Sequence, residues 1–394
     1  MKMMDAIKIR TVTVRDLEGL SDHAEAWDRL AWSAPRALPS LLPAWIEAFF
    51  RHQIKPHEGW FCSFAYRLEE LVGVLPVVVK PHPLFGRAFP LLQTPFDNLT
   101  NSGDIALASE HAGPTLAALL DEARREQPRH LGLALPAVRQ NSSLWKAVAE
   151  GFSGHAVMRG RVFPYDKIDL RIGTRGYHDQ LGGNLKRNLK RYRKKLDGKG
   201  VVTVELRSGR KADESLLQEF LELENSGWKR RAGTALLQRP SETAFYKRVV
   251  QNFAERERLE WHLIKVDGRL IAAGLGIRCG GSLMLPRIAF DESFADCQPG
   301  TLLTGEVNEA AYGRTDLFEL NHMSAAPWHR NWNMVQEDYA TIHLVRKAAT
   351  AAVFHHPILA GYILLHQHIK PRIRSDWKAW IKQGLTGVRP YWNN

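Results

Sequence analysis

The chain has few cysteines, and their spacing does not let them act together. Cys62, Cys279 and Cys297 are the three cysteines among 394 residues, and no C-x-x-C pair occurs. A disulfide framework and a zinc ribbon both need more cysteines at shorter spacing, so the sequence excludes both classes. An odd number of cysteines fits a reducing compartment.

The sequence also lacks an uninterrupted apolar run of about 20 residues, the length that a membrane-spanning helix needs. The best candidate, residues 348–365, is interrupted by His355, His356 and Pro357. The N-terminus reaches charged residues too early for the apolar core of a secretory signal. We therefore expect a cytoplasmic protein.

The basic charge is concentrated in two short segments. The net charge is +12; residues 186–195 and residues 345–394 contribute +7 each, so the remainder carries −2. For 186–195 two interpretations stay open: a solvated helix face, or a surface that attracts an anionic substrate such as a sugar nucleotide, an anionic lipid or a tRNA acceptor stem. We do not expect specific DNA binding, because no helix-turn-helix or zinc-finger spacing accompanies this segment.

The length and the 44% hydrophobic content predict two globular domains. The first half has mixed α/β patterning, including a predicted helix at 43–51 and a predicted strand pair at 60–66 and 71–80. In the second half, helices are predicted at 181–196, 214–228, 244–256 and 301–312. Strands are predicted there at 165–170, 201–206, 259–266, 270–279, 282–290 and 317–320. Turns at 267–268 and 280–281 join three of these strands into an antiparallel meander.

This order of elements, together with its motifs, resembles the acetyltransferase domain of the FemAB/CelD-like branch of the GNAT superfamily. The matching segments are GNLKRNLKRYRKKLDGKGVVTVEL (182–205), ELENSGWKRRAG (222–233), AFYKRVVQNF (244–253), HLIKVDGRLIAAGLGI (262–277), AFDESFADCQPGTLL (289–303) and PWHRNWN (327–333). The chain departs from the branch at one point, because the Lys expected in the last element is His329. A role that depends on that Lys is therefore in doubt.

The resemblance implies an α+β fold of tandem GNAT-like domains, with mixed, largely antiparallel sheets flanked by helices and a basic C-terminal helical tail. We expect a degenerate GNAT-like domain at 1–165, a GNAT-like acyltransferase domain at 166–344 and a basic amphipathic tail at 345–394. Tryptophans interleaved with basic residues in the tail suit an anionic membrane surface, so we expect peripheral contact with the inner membrane face or, equally, a helix that docks on the domain.

Acyl transfer from a thioester needs a site for the donor's pyrophosphate, and the helix start at Gln298, Gly300, Thr301 and Leu302 is the candidate, because backbone N–H groups there attract anions. An ordinary Pro-Gly turn is the alternative. Backbone N–H groups near the end of strand 282–290 could polarise the thioester carbonyl. Pro286 marks an edge or a bulge in that strand.

The acceptor must lose a proton, and Glu319 and His322, near the last strand, are the predicted catalytic bases, with Glu224, Asp291 and His329 behind them. The predicted substrate-binding residues are tryptophans and basic side chains, with core packing as the alternative for the tryptophans: Trp228, Arg287, His329, Arg330, Trp332, Lys186 and Arg187. No metal site is predicted.

The leading hypothesis is an N- or O-acetyltransferase that uses acetyl-CoA by direct attack, on a sugar or an envelope-polysaccharide precursor. One alternative is a FemAB-like aminoacyltransferase that uses aminoacyl-tRNA on a peptidoglycan precursor. Another is a non-catalytic protein that binds the membrane surface.

Overall fold

A computed structural model describes residues 8–34, 37–151 and 154–365 of the chain. Its strands are β1 (Ile9–Val14), β2 (Gly59–Arg67), β3 (Glu70–His82), β4 (Gly86–Gln93), β5 (Gly132–Arg139), β6 (His155–Asp169), β7 (Val202–Ser208), β8 (Leu259–Val266), β9 (Arg269–Cys279), β10 (Ser282–Phe290), β11 (Glu319–Asn321) and β12 (Val335–Arg346). Its α-helices are α1 (Leu17–Asp22), α2 (Ala24–Trp32), α3 (Pro43–His52), α4 (Ala112–Glu126), α5 (Ser143–Glu150), α6 (Gly173–Gln180), α7 (Gly183–Asp197), α8 (Ser215–Ser226), α9 (Trp228–Arg231), α10 (Pro240–Ala254), α11 (Pro299–Tyr312) and α12 (His356–Leu364).

The chain divides into two compact units. Among the described residues, unit 1 comprises 8–31, 54–163 and 338–365, and unit 2 comprises 32–53 and 164–337. Both units combine a mixed sheet with flanking helices. The predicted boundaries at 165/166 and 344/345 stay a prediction, because each compact unit is assembled from separate segments of the chain.

Unit 1 is built on a sheet in the order β1-β2-β3-β4-β5-β12. Neighbouring strands are antiparallel except β4 and β5, which are parallel. The helices α4 and α5 cover one face, where Leu116, Leu119 and Leu144 are buried with strand residues such as Leu75 and Leu133. Leu116 and Leu119 are three residues apart and so share one face of α4, and this amphipathic pattern explains the position of the helix.

The strand β12 was not predicted from the sequence. Its first residues, Val335 to Asp338, are mostly exposed and polar, and the residues from Tyr339 to Val345 are buried without alternation. A strand that is buried on both faces has no period-2 pattern, which is why this segment was not identified.

The predicted C-terminal tail begins within this strand and continues as a helical segment. Ala351 and Leu359 are buried against Leu131 and Val345 in unit 1. The docked-helix interpretation is therefore confirmed for this part of the tail. Residues 366–394, which contain most of the tail's predicted basic residues and its tryptophans, lie outside the described residues.

Unit 2 is built on a sheet in the order β6-β11-β10-β9-β8-β7, with residues 164–169 of β6 at one edge. The predicted meander is confirmed: β8, β9 and β10 are antiparallel neighbours. The pair β10 and β11 is parallel, and α11 forms the connection between them. The helices α7 and α11 cover one face through residues such as Leu196, Leu303 and Val307.

Helix α3 belongs to unit 2, although it lies far from the rest of that unit in sequence. Trp45 packs edge-on against Phe245 and Phe253 of α10, at centroid distances of 5.2 and 6.5 Å. The Asn252 side-chain amide donates to the Ala44 carbonyl oxygen at 2.8 Å. The Trp45-centred helix was assigned to the N-terminal domain in the sequence analysis, but its apolar face packs in unit 2.

Within the described part of the chain, no helix combines the length and the apolar character that crossing a bilayer would require.

Candidate functional site

The strands β10 and β11 pair over only three residues and then separate. Ser282, Leu283 and Met284 are in parallel register with Glu319, Leu320 and Asn321. The register of β10 with β9 shifts between Met284 and Arg287, so the strand carries an irregularity at Leu285-Pro286. Proline has no N–H to donate to a ladder, which makes it suited to such a position. The predicted bulge at Pro286 is therefore present, and it lies where the two strands part.

Beyond the bulge, alternate peptide groups of β10 point away from β9. Asp291 N–H donates to the Ile271 carbonyl oxygen at 2.8 Å, which sets the phase of the antiparallel ladder. In such a ladder the groups directed at the neighbouring strand alternate with groups directed away from it. Because Ile288 is opposite Gly274 and Phe290 is opposite Ala272, the peptide groups of Ile288 and Phe290 face the side where β11 has diverged. We call this side of residues 285–290 the open edge.

Helix α11 begins close to the end of the open edge. Gln298 precedes it in a left-handed conformation, with φ 52°, and Pro299 is its first residue. No side chain of the described residues caps this helix start. A Cβ atom on Gly300 would lie 3.0 Å from Cδ1 of Phe290. Glycine therefore allows the helix start to approach the last residue of β10. Pro299 has no N–H and Thr301 N–H is bonded to the Gln298 carbonyl oxygen, so Gly300 N–H and the helix dipole are what favours an anion there.

The four predicted donor-binding residues differ in what they offer. Gly300 and Thr301 lie in the first turn of α11, and Thr301 is half-buried. The Gln298 side chain donates to the Ala295 carbonyl oxygen at 2.9 Å, so it stabilises the turn. Leu302 is buried in the core of unit 2, and its N–H is bonded to the Gln298 carbonyl oxygen. Leu302 therefore shapes the loop and offers no free group to a ligand.

Two histidines and an aspartate come together just beyond β11. The Asp166 backbone is hydrogen-bonded to His322 N–H and to the Ser324 carbonyl oxygen, which continues the β6–β11 pairing. Nδ1 of His329 is 2.7 Å from Oδ2 of Asp166, and an ionised Asp166 requires the hydrogen on Nδ1; Ala326 N–H also approaches Nδ1, at 3.3 Å. The rings of His322 and His329 are 4.9 Å apart. Trp328 is edge-on to both rings and is 40% exposed, so one of its faces is accessible from solvent.

The electrostatics of the two histidines differ. Burial lowers the pKa of His322 to about 3, and His329 nearby lowers it further. Burial also lowers the pKa of His329, whereas the hydrogen bond and the charge of Asp166 oppose this effect. An imidazole that donates Nδ1–H to a carboxylate keeps its lone pair on Nε2. Nε2 of His329 is buried and has no partner among the described residues, so it is suited to accept a proton.

Glu319 is buried within the sheet and lies near a cation. Its carboxylate is 3.6 Å from Nζ of Lys167, which is also 2.9 Å from the Glu337 carboxylate. The Asn321 side chain donates to Glu319 at 3.4 Å. The Glu319 carboxylate is thus engaged by a lysine and an amide. Both predicted bases remain predictions, and the geometry favours the histidine cluster over Glu319.

A second polar cluster lies beside the open edge. The Glu224 carboxylate, whose side chain is 0% exposed, accepts from Nζ of Lys229 at 2.7 Å and from Leu236 N–H at 2.9 Å. The Arg287 guanidinium is 3.3 Å from the same carboxylate. Nζ of Lys229 also donates to the Ile288 carbonyl oxygen at 2.9 Å. Because two cations hold Glu224, it is not placed to serve as a base.

The predicted substrate-binding residues are distributed over several environments. Trp228 is 51% exposed at the start of α9, and Arg287 is half-buried with its guanidinium 5.0 Å from the Tyr246 ring centroid. Arg330 is exposed, whereas Trp332 is buried in the core of unit 2. The core-packing alternative is therefore correct for Trp332.

The basic segment forms an exposed face of α7. Lys186 and Arg187 are exposed, and the apolar residues Leu185, Leu189 and Tyr192 of the same helix pack on the core of unit 2. The geometry fits the interpretation of α7 as a solvated basic helix face. It also leaves the basic side chains available to an anionic ligand.

Two residues of these clusters were not identified from the sequence. Asp166 lies in a predicted strand, where the motif YDKIDL gave no sign that it pairs with a histidine 163 residues later. Lys229 follows Trp228 directly within the GWKRR stretch, and only the Trp was selected. A lysine next to the end of a helix, inside a segment that resembles an acyltransferase, was the available signal.

Comparison with protein families identifies the same region. Residues 183–322 match the family described as "Acetyltransferase (GNAT) domain". This segment includes α7, the strands β10 and β11, the start of α11 and His322. No curated protein matches the sequence.

Two solved structures support the fold. FemX is 13% identical, with a TM-score of 0.59, and the alignment covers 85% of this chain and 97% of FemX. The C-terminal domain (DUF2156) of a putative lysylphosphatidylglycerol synthetase from Agrobacterium fabrum is 10% identical, with a TM-score of 0.52, and the alignment covers 88% and 97% of the two chains. At these identities the likeness shows the fold alone.

These findings confirm the predicted fold class, a GNAT fold with a mixed sheet and flanking helices. They also confirm the enzyme class, acyltransferase, because residues 183–322 match the acetyltransferase (GNAT) domain family.

Proposed function

We propose that this chain transfers an acetyl group from acetyl-CoA to an amine or a hydroxyl group by direct attack on the thioester. The observation that carries the proposal is the divergence of β10 from β11, with the start of α11 at its far end. Peptide groups along the open edge, apart from the Ile288 carbonyl that Lys229 occupies, can hydrogen-bond an extended amide chain. The helix start can hold a pyrophosphate.

The residues present fit such a donor. Gly300 leaves the helix start without a Cβ, and Thr301 adds a hydroxyl in the first turn. The N–H groups of Ile288 and Phe290 face the open edge and can polarise a carbonyl oxygen. Bound acetyl-CoA would supply the activated thioester, and the residues of unit 2 would orient it.

The general base in this proposal is the His329–Asp166 pair, assisted by His322. Asp166 fixes the tautomer and orientation of the His329 ring, and Nε2 is left to accept the acceptor's proton. A covalent acyl-enzyme is not needed. The three cysteines are buried, and burial raises the pKa of the Cys62 and Cys297 thiols, so none is a reactive nucleophile.

For the acceptor, we propose a sugar or an envelope-polysaccharide precursor that carries negative charge. The CelD-like resemblance of segments 222–233 and 327–333 supports this choice. The exposed aromatic rings of Trp228 and Trp328 suit the apolar face of a sugar ring. The exposed Lys186 and Arg187 would attract a phosphate-linked acceptor.

The test is an acetyl-CoA turnover assay with a panel of amino sugars, polyols and sugar nucleotides. Release of CoA thiol is followed with a disulfide reagent, and the burial of all three cysteines keeps the protein's own background low. We expect acceptor-dependent thiol release that falls at least tenfold in His329→Gln. Turnover that is equal in wild type and in His329→Gln would remove this residue from the mechanism. The absence of turnover with every acceptor in the panel would contradict the sugar proposal.

A second candidate is aminoacyl transfer from aminoacyl-tRNA to a peptidoglycan precursor. The exposed basic face of α7 favours it, and the fold shared with FemX is consistent with it. Binding to tRNA that weakens steeply with salt, and transfer from a charged tRNA with no use of acetyl-CoA, would select this candidate.

Peripheral contact with an anionic membrane stays a proposal. Its support in the described residues is that Val353, Ile358 and Leu364 are between 39% and 63% exposed around α12. Sedimentation of the protein with vesicles containing anionic lipid, compared with neutral vesicles, tests it.

A further inference from the structure

The Glu224–Lys229 pair is an unusual feature of unit 2, because a fully buried carboxylate holds a lysine against a strand edge. Glu224 is on α8 and Lys229 is on the short helix α9, three residues after α8 ends. Leu236 N–H, from the loop after α9, donates to the second carboxylate oxygen of Glu224. Leu236 N–H and the Arg287 guanidinium therefore hold the carboxylate in place, and the carboxylate in turn holds the ammonium group of Lys229.

The position of the ammonium group relates it to the open edge. Nζ of Lys229 donates to the carbonyl oxygen of Ile288 at 2.9 Å. The hydrogen bond from Asp291 N–H to the Ile271 carbonyl oxygen fixes which residues of β10 direct their peptide groups at β9. Ile288 is not one of them, so its carbonyl is directed away from β9, toward the side where β11 has diverged. The ammonium group thus lies beside the Ile288 and Phe290 peptide groups that face the open edge.

The lysine keeps a hydrogen for a ligand. An ammonium group has three donors, and the structure gives Lys229 two acceptors, Glu224 and Ile288. Its side chain is 17% exposed, so it is reachable from outside the protein, whereas Glu224 is not.

We propose that Lys229 is a catalytic residue whose ammonium group, held at the open edge of β10 by Glu224, donates a hydrogen bond to the carbonyl oxygen of the acyl thioester. This inference rests on the proposed acyl transfer. Glu224 is the positioning residue, because it acts only through Lys229. Arg287 contacts the same carboxylate oxygen of Glu224 as Lys229 does.

In the reaction, the acceptor's lone pair forms a bond to the carbonyl carbon, and the C–O π pair moves onto the oxygen. The Lys229 ammonium stabilises that negative charge where it develops. The pair then returns to re-form the carbonyl, and the C–S bond breaks with both electrons on sulfur. The proton taken from the acceptor by the base neutralises the thiolate, so free CoA is released and no oxidant or further reactant is required.

The first test reads the hydrogen bond directly, without an acceptor. Acetyl-CoA labelled with ¹³C at the carbonyl carbon is bound to the wild type, and its carbonyl resonance is recorded. We expect a downfield shift from the free value, which Lys229→Met reduces to the part that the backbone N–H groups of the open edge supply. Arg230→Met is the matched control, because Arg230 is the next residue along the chain and is exposed. Its shift should equal that of the wild type.

The second test is kinetic. Loss of a donor to a developing oxyanion lowers kcat by about 10²–10³-fold. We expect that loss in Lys229→Met with KM for acetyl-CoA changed less than about threefold, and partial recovery in Lys229→Arg. Because Lys229→Met leaves a buried carboxylate with one cation fewer, the double variant Lys229→Met/Glu224→Gln is measured as well. It should melt close to the wild type and stay inactive.

The outcomes separate this inference from the proposed function. A wild-type carbonyl resonance that does not move on binding, or a folded Lys229→Met with wild-type kcat, would overturn the role of Lys229 and leave acyl transfer standing. A wild type that does not bind acetyl-CoA would overturn the proposed function, and the role of Lys229 with it.

Discussion

Mild acid should destabilise unit 1 because it buries histidines in neutral form, three of which have strongly lowered pKa values. His130, His343 and His355 are 1%, 7% and 4% exposed. Burial lowers the pKa of His130 to about 3 and lowers that of His343 and His355 to about 4. The ordinary pKa of histidine is 6.5. Between that value and the lowered pKa in the folded unit, the unfolded chain binds protons that the folded unit does not. Stability is therefore lost as the pH falls below the unfolded value.

The magnitude follows from these pKa values. Between pH 7 and pH 5.5, each such histidine costs about 1.2 kcal/mol of unfolding free energy, which gives about 3.6 kcal/mol for the three. Asp104 acts in the opposite direction, because burial raises its pKa from 3.8 to about 6 and its folded form takes up a proton first. That offsets about 0.8 kcal/mol. The net expected loss is about 3 kcal/mol, a large fraction of the stability of a typical domain.

The assay is guanidinium unfolding at pH 7 and pH 5.5, with hydrogen exchange to assign the loss to unit 1. His343→Gln, which does not titrate in this range, should reduce the loss by about 1.2 kcal/mol. His57→Gln is the control, because His57 is exposed and its removal should leave the pH dependence unchanged. Equal stability at the two pH values, or a loss confined to unit 2, would refute the reasoning.

Three further outcomes are expected. Thr301→Asp adds a negative charge in the first turn of α11, where it would repel a bound pyrophosphate. Acetyl-CoA should therefore bind at least about tenfold more weakly than to the neutral Thr301→Asn, and equal affinities in calorimetry would argue against the α11 site. Asp166→Asn removes the charge that raises the pKa of His329, so the rise of kcat/KM with pH should move to lower pH. The plateau of kcat/KM should also fall about tenfold. An unmoved pH profile would show that His329 is not the general base. Trp45→Ala should lower the unfolding free energy of unit 2 by about 3–5 kcal/mol, measured by denaturant titration, and a cost under about 1 kcal/mol would contradict the packing of α3 on α10.

Periodicity and turn chemistry were sufficient to predict most elements of unit 2. The strands 259–266 and 282–290 agree with the structure at both ends, because Gly-containing turns and flanking polar residues define them. Pro286 predicted an irregularity in β10, and the register shift lies there. These signals are local, so one sequence carries them.

Long-range assembly could not be predicted in the same way. The packing of α3 against α10 depends on an interaction between residues about 200 positions apart, and nothing in the Trp45 helix identifies its partner. The strand β12 is buried without alternation and gave no periodic signal.

The candidate site shows the same division. The start of α11 was identified because a helix terminus has a sequence signature. The Asp166–His329 pair and the contact of Lys229 with Ile288 were not identified, because both depend on where separate segments meet.

The most direct test of the central claim is the binding of acetyl-CoA to the purified wild-type chain by calorimetry, with desulfo-CoA as a control for the pyrophosphate contact and a salt series for its electrostatic part. We expect micromolar affinity for acetyl-CoA, retained by desulfo-CoA and weakened by salt. No detectable heat with either ligand at millimolar concentration would contradict an acyl-CoA site at the open edge of β10.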